Sequence, residues 1–322
     1  MTTMIVDFNN VAVSKLFSKN VMEKTKYEVH NIDYDVWRYS VFNDIYWYMK
    51  KFKNIDEVVL AIDSKSSWRK KYFPRYKAHR QKTKDKFNID WQEYNDVASD
   101  YIEEIRKYLP FKIIWKKYAE GDDVIGAVVL DNKGKSFVIV SSDQDYLQLC
   151  RKGVTVYSIQ KQDYIKHPNP EMFLQESSLK GQAKDNIFNV ITPLDYPDEL
   201  RKPPFGDKKC EKFLIDGLTK SLDNDIVYKR KYIDDDGKPR LYESTINLAE
   251  RYKFNRNLMD FSKIPNSVKN SILNEYYNYE YPHPSMIFEF FDKYKWPYYM
   301  DNFTNVENNL CNLYQSEKPK EK

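Results

Sequence analysis

Short apolar runs recur through the first half of the chain, each of strand length and each closed by polar residues. Met4–Val6 ends at Asp7, and EVVLAI (57–62) ends at Asp63. FKIIW (111–115) leads to AEGDD, Ser136–Val140 leads to SSDQD, and Val154–Ile159 completes the set. Between the first two runs, Val36, Tyr39, Phe42, Ile45, Tyr46 and Met49 recur at helical spacing. Asp90 is placed to cap a helix that reaches about Leu109, and a further helix follows AEGDD. Strands alternating with helices predict an α/β domain over about 1–165, with a mostly parallel central sheet covered by helices on both faces.

The pattern changes beyond about residue 165. Helical periodicity predicts helices over 170–179, 207–216, 242–257, 265–279 and 285–294. A proline-rich stretch (191–206) and the turn DDDGKPR (234–240) interrupt them. The expected second region is therefore a mainly helical lobe over 166–315. SEKPKEK (316–322) reads as a frayed tail.

Composition narrows the chemistry. The 322 residues suffice for a large core, and no apolar run approaches a membrane span. MTTMIVDFNN lacks the basic start and apolar core of a secretory leader, so a soluble cytoplasmic protein is expected. Three distant cysteines (Cys150, Cys210, Cys311) without a CxxC read as reduced thiols. Four scattered histidines argue against zinc and imidazole chemistry. The net charge of +4 hides an asymmetry: Lys65–Lys86 carries ten Lys/Arg against one acid, leaving a body that is net negative.

In an open parallel sheet all strand carboxyl ends share one edge, where ligands bind. Asp7, Asp63, Glu120, Asp122, Asp123, Asp143 and Asp145 should converge there. Taken singly, each is explained as well by helix capping or by a helix dipole. Jointly, such crowded carboxylates repel one another unless cations sit among them. A donor set of oxygens alone suits Mg²⁺, with Mn²⁺ able to substitute. This many acids can hold two ions, the arrangement that clamps the attacking and leaving oxygens of a phosphodiester. No side chain there reads as a dedicated general base.

The basic segment KSSWRKKYFPRYKAHRQKTKDK mixes cations with Trp68, Tyr72, Phe73 and Tyr76. Cations neutralise phosphates and aromatic faces stack on bases, which suits single-stranded or frayed nucleic acid. A solvated basic helix or loop is the alternative. The segment starts two residues after Asp63, and Pro74 argues against one continuous helix. The expectation is a flexible or partly helical arch at about 64–90.

IVDFNN, VLAID followed by WRKKYFPRYKAHR, AEGDDVIG, SSDQDYLQL and KGQAKDN stand in the order and spacing of the 5′-nuclease (flap endonuclease) superfamily. The chain resembles that family from about residue 4 to 295. The resemblance implies a PIN-like nuclease domain and a helical lobe whose helix–turn–helix element, around 173–216, grips duplex. It implies a 5′→3′ exonuclease and flap endonuclease with ribonuclease H activity, removing RNA primers during lagging-strand replication. Substrates would be branched, flapped or nicked duplex DNA and RNA–DNA hybrid. A replication single-strand-binding protein is the implied partner, and a monomer the implied state. Asp7, Asp63, Glu120, Asp122 and Asp143 match the family's first metal cluster. Asp145 and Asp185 match the second, with Asp122 or Asp123 shared or nearby. Asp185 by itself, in KDN, reads as a turn residue. Arg69, Lys77 and Arg80 match arch positions that contact the 5′ strand or scissile phosphate. Lys70 and Tyr76 accompany them, and Lys208 and Lys209 are placed to reach phosphates.

The chain departs from the family twice. Gln182 stands where the family has an acid, which loosens the second metal site. FNVITPLDYPDELRKPPFGDKK replaces the family's glycine-rich hairpins, which argues against a potassium site. The rival readings are a non-catalytic, structure-specific DNA-binding protein and a magnesium phosphatase. The phosphatase is disfavoured because Asp7 is followed by Phe8 and Asn9, with no Asp-x-Asp pair.

Overall fold

The computed structural model describes residues 1–24, 29–80, 84–87, 89–197, 200–234 and 236–315. The expected frayed tail, residues 81–83 of the basic segment, residue 88 of the expected arch, 198–199 of the proline-rich stretch, and residue 235 of DDDGKPR lie outside these.

In chain order the elements are β1 (Thr2–Asp7), α1 (Phe8–Leu16), β2 (Met22–Lys24), β3 (Val29–Ile32), α2 (Tyr34–Lys51), β4 (Glu57–Ala61) and α3 (Trp68–Tyr72). Then come α4 (Trp91–Tyr108), β5 (Lys112–Ile114), α5 (Gly121–Asp131), β6 (Ser136–Val140), a 3₁₀ turn (Gln144–Leu149), β7 (Val154–Ser158) and β8 (Asp163–Ile165). Helix α6 (Pro170–Lys180) precedes a 3₁₀ turn (Ala183–Asp185), α7 (Asp207–Ile215) and α8 (Leu218–Leu222). Last are β9 (Asp225–Ile233), β10 (Pro239–Asn247), α9 (Leu248–Met259), α10 (Asn266–Tyr277), α11 (Met286–Tyr294), α12 (Pro297–Asp301) and α13 (Phe303–Gln315).

The chain divides into two compact units. The first takes in the described residues up to Trp68, those from 84 to Lys166, and those from Ile264 on. The second takes Arg69–Arg80 and His167–Lys263.

The first unit is built on a six-stranded sheet of order β5-β4-β1-β6-β7-β8. All its neighbours are parallel except β8, which runs antiparallel to β7. Alternate residues serve two faces. Met4, Val6, Val58, Leu60, Val138 and Val140 join a large core with Trp37, Phe42 and Ile45 of α2. Ile5, Val59 and Ile139 are equally buried on the opposite face, and α5 packs on β1 and β4.

The sequence pattern groups 265–279 and 285–294 with the second region. Instead these helices belong to the first unit, because their apolar stripes complete its core. Ile287, Phe290 and Phe291 are fully buried there, and Tyr299 packs edge-on against Phe42 at 5.0 Å.

In the second unit the expected helix at 242–257 is a strand followed by a shorter helix. Residues 239–247 form β10, antiparallel to β9. The change comes at Asn247, whose side chain accepts from the Glu250 amide at 2.9 Å and caps α9. Between β9 and β10, Gly237 turns the chain at φ +76°. The connection between α6 and α7, residues 181–206, is far longer than a tight turn. Its first part is held by Arg251 of α9, whose buried guanidinium donates to the carbonyls of Thr192 (3.0 Å) and Phe188 (3.1 Å) and to Asn255 Oδ1 (2.6 Å).

Candidate metal centre and the basic segment

The strand register assembles the acids of the first unit. Asp7 is level with Ala61 of β4, and Val6 with Val140 of β6. Asp63 therefore lies just beyond Asp7 on one side, and Ser141 beside it on the other. Asp7 Oδ1 accepts from the Asn10 amide (3.1 Å). Its Oδ2 accepts from Ser141 Oγ (2.9 Å) and from the Tyr146 hydroxyl (3.0 Å).

Asp63 is joined to the start of α5. Its Oδ1 accepts from the Gly121 amide at 2.6 Å, and its own amide donates to Asn9 Oδ1 at 3.1 Å. A Cβ at Gly121 would come to 3.2 Å from both Ala61 O and Asp63 Oδ1, so glycine permits the approach. Glu120 and Asp123 form a capping box at the same helix start. Ser67 Oγ donates to Glu120 Oε2 (2.9 Å), while Trp68 Nε1 (3.1 Å) and the Glu120 amide (2.9 Å) donate to Asp123 Oδ2. Glu120, Asp122 and Asp123 each offer a carboxylate oxygen within 4.8 Å of the others. Asp123 is fully buried and anchors the helix start, whereas Asp122 is only partly covered.

Asp143 caps the 3₁₀ turn, its Oδ1 accepting from the Asp145 amide at 3.0 Å. Both aspartates are partly exposed, so the turn of SSDQD directs two carboxylates from one strand end.

Electrostatics register the convergence. Burial, then the neighbouring Asp63 and more weakly Asp143, push the Asp7 carboxyl from 3.8 up to about 6, against the Asn10 and Ser141 hydrogen bonds that pull it down. The buried Tyr146 phenol is held well above its usual value, first by burial and then by Asp7, Asp122, Asp143 and Asp63 together. Four aspartates from four chain segments thus act on one hydroxyl. Tyr146, Ser141, Asn9 and Asn10 escaped the sequence reading. The clue was adjacency, since each lies within three residues of a predicted ligand.

Asp185 belongs to the second unit and is nine-tenths buried. Its Oδ1 accepts from Arg80 Nη2 at 2.8 Å, and Lys77 Nζ lies 3.9 Å away. The resemblance pairs Asp185 with Asp145 as a metal ligand; in this structure its carboxylate accepts from Arg80 and forms a longer ion pair with Lys77. Two residues expected to contact nucleic acid are interior in this structure. Arg69 and Tyr76 are each 2% exposed, and Arg69 Nε donates to Leu258 O at 2.7 Å. Tyr76 and Phe73 pack with Leu174, Ile187, Leu258 and Met259 and fill a core, whereas Tyr72 keeps nearly half its surface exposed (45%). Lys70, Lys208 and Lys209 are exposed. Arg80 is half exposed and Lys77 mostly covered.

A family model for the 5′-3′ exonuclease N-terminal resolvase-like domain matches residues 2–177, more than half of the chain. The chain belongs to this 5′-nuclease family. The nuclease is 29% identical over 298 residues to ribonuclease H of Enterobacteria phage T4, with 90% of each chain covered. It is 27% identical over 163 residues to a 5′-3′ exonuclease of Buchnera aphidicola, covering 47% of this chain and 54% of that one. The crystal structure of the T5 D15 protein with metal ions shares its fold, with a TM-score of 0.59 at 16% identity over 87% of this chain and 100% of that one. The chain is thus a hydrolytic 5′ nuclease, and its clustered carboxylates are a donor set for divalent metal ions.

Proposed function

We propose that this nuclease hydrolyses phosphodiesters near the 5′ end of a strand in flapped, branched or nicked duplex. RNA paired to DNA and DNA itself are both substrates, and the product carries a 5′-phosphate. The carrying observation is the set of carboxylates at the carboxyl edge of β1, β4 and β6, which add to burial in raising both Asp7 and Tyr146. The donors fit hard divalent cations: all are oxygens, and their mutual repulsion is relieved by positive charge. In this reading Asp7, Asp63, Glu120, Asp122 and Asp143 hold one Mg²⁺. Asp145 would contribute to a second, and Mn²⁺ could substitute for either. Such ions supply activation of water and neutralisation of charge on the phosphate.

The chain's own groups keep the ligands in place. Ser141 and Tyr146 orient Asp7, the Gly121 amide orients Asp63, and Ser67 orients Glu120. Asp123 stabilises the helix start that carries Asp122. Lys70, Lys77 and Arg80 meet the 5′ strand, and Lys208 and Lys209, at the first turn of α7, meet duplex phosphates. The same reading makes the protein a monomer of the cytoplasm, removing primers in replication beside a single-strand-binding protein. No helix among the described residues is long and apolar enough to cross a membrane.

A 3′-labelled 5′-flap duplex, incubated with and without Mg²⁺, tests the proposal. Magnesium-dependent release of products cut near the flap junction is expected. Binding without cleavage at any Mg²⁺ or Mn²⁺ concentration would sink it.

A further inference from the structure

The sequence expects Arg69–Arg80 to be an arch, yet it packs as an integral part of the second unit. Its attachment is built from both sides of a short junction. The Lys77 amide donates to Asp185 O at 2.9 Å, and Asn186 Nδ2 donates to Arg75 O at 2.9 Å. Lys77 (φ +56°) and Asn186 (φ +57°) both adopt the left-handed conformation there. For a lysine this is uncommon, and the surrounding bonds maintain it. Arg75 Nη1 adds a bond to Tyr196 O at 2.7 Å. At the centre, Asp185 is nine-tenths buried and accepts from Arg80 Nη2 (2.8 Å), with Lys77 Nζ and Lys184 Nζ each at 3.9 Å.

We propose that Asp185 is a positioning residue: its carboxylate sets Arg80 and Lys77 in place for the phosphates of the 5′ strand, and it is not a metal ligand. Three observations carry this. The carboxylate is enclosed by cations, an environment that repels a further cation. Gln182, three residues before Asp185, places a neutral amide where the family has an acid, so the junction itself offers a cation no second carboxylate. Arg80 keeps half its side chain exposed while one edge is tied to Asp185, so its head is fixed and still accessible. Fixing it before binding removes rotamer entropy that association would otherwise cost.

The proposal rests on the nuclease reading only where it names the 5′ strand, and the test separates the two. Asp185→Asn, Asp185→Glu and Arg80→Gln are made in the full chain. Mn²⁺ uptake is counted by calorimetry without nucleic acid, and amide exchange is followed at Lys77, Ala78 and Arg80. Steady-state kinetics are measured on a 5′ flap. D185N is expected to take up as many Mn²⁺ ions as wild type. Its amides at 77–80 should exchange roughly tenfold faster, as loss of a charge-assisted bond predicts. KM should rise more than kcat falls, and D185E should restore part of the loss. R80Q should speed the same amides, and the double variant D185N/R80Q should add little. R80Q alone decides the exchange arm if D185N does not fold. Loss of one Mn²⁺ ion in D185N overturns the proposal, whatever exchange does. So does unchanged exchange in R80Q. A wild-type chain that cuts no flap would remove the nuclease reading, while the exchange arm still decides whether Asp185 anchors the segment.

Discussion

At Asp7 a proton and a cation compete for one carboxylate. The metal-free folded chain binds that proton up to about pH 6, whereas the unfolded chain releases it near 3.8. The folded state therefore gains from this group below 3.8 and loses that gain as pH rises through 6. Metal binding has to expel the same proton, so affinity should climb with pH to about 6 and then level off. Calorimetry of Mn²⁺ binding in buffers of different ionisation enthalpy checks this through the protons released. The Tyr146 hydroxyl favours the ionised carboxylate, so Tyr146→Phe should raise Asp7 further. The midpoint of metal affinity should move up by about one pH unit. A midpoint that stays put or falls would remove Tyr146 from the site. Asp143→Asn with Asp145→Asn should cut hydrolysis about 10³-fold or more, about 4 kcal/mol of barrier. Binding to branched DNA in Ca²⁺ should persist, and retained Mg²⁺-dependent cleavage would contradict the ligand assignment. The acids themselves were legible because each closes an apolar run. The groups that orient them were not, since a hydroxyl or an amide near a carboxylate in sequence has no periodicity, and adjacency alone does not say which neighbour turns toward it.

Among the elements, strands ending in acid were readable because a buried parallel strand needs a short continuous apolar run. The β9–β10 hairpin was not. Tyr242 and Ile246, four apart, fit either period, and only pairing with β9 and the cap at Asn247 decides for a strand. The loop after α6 was equally opaque, yet it carries a sharp constraint. Gly181 has φ +69°, and a Cβ there would lie 2.4 Å from Ile187 O and 2.5 Å from Phe188 C. These are backbone atoms closed into a bridge between Gln182 and Ile187, so they cannot step aside. Gly181→Ala should destabilise the second unit by about 3 kcal/mol or more. Limited proteolysis should then cut residues 181–206 at lower denaturant concentration than in wild type. Equal resistance would mean that the loop relaxes around the methyl group.

For the molecule as a whole, charge and exposure divide the cations into two classes. Lys70, Lys208 and Lys209 are exposed, and their replacement by Ala should each flatten the plot of log binding constant against log salt by about 0.9 for duplex contacts. Arg69, at 2% exposure with its Nε on the Leu258 carbonyl, should behave otherwise. Arg69→Met should lower stability and leave the salt slope alone. Fluorescence anisotropy titrations at several salt concentrations separate the two classes.

The sequence by itself determined the α/β architecture, the edge on which the acids meet and the family. Those features depend on local periodicity and on the order of short motifs, which folding does not rearrange. Only the tertiary structure decided that the helices after residue 264 complete the first core, that Arg69 and Tyr76 are interior, and that Asp185 is tied to Arg80. Each of these turns on which partner, distant in sequence, a residue meets. A cation that packs and a cation that faces phosphate are the same letter in the sequence, and burial alone tells them apart.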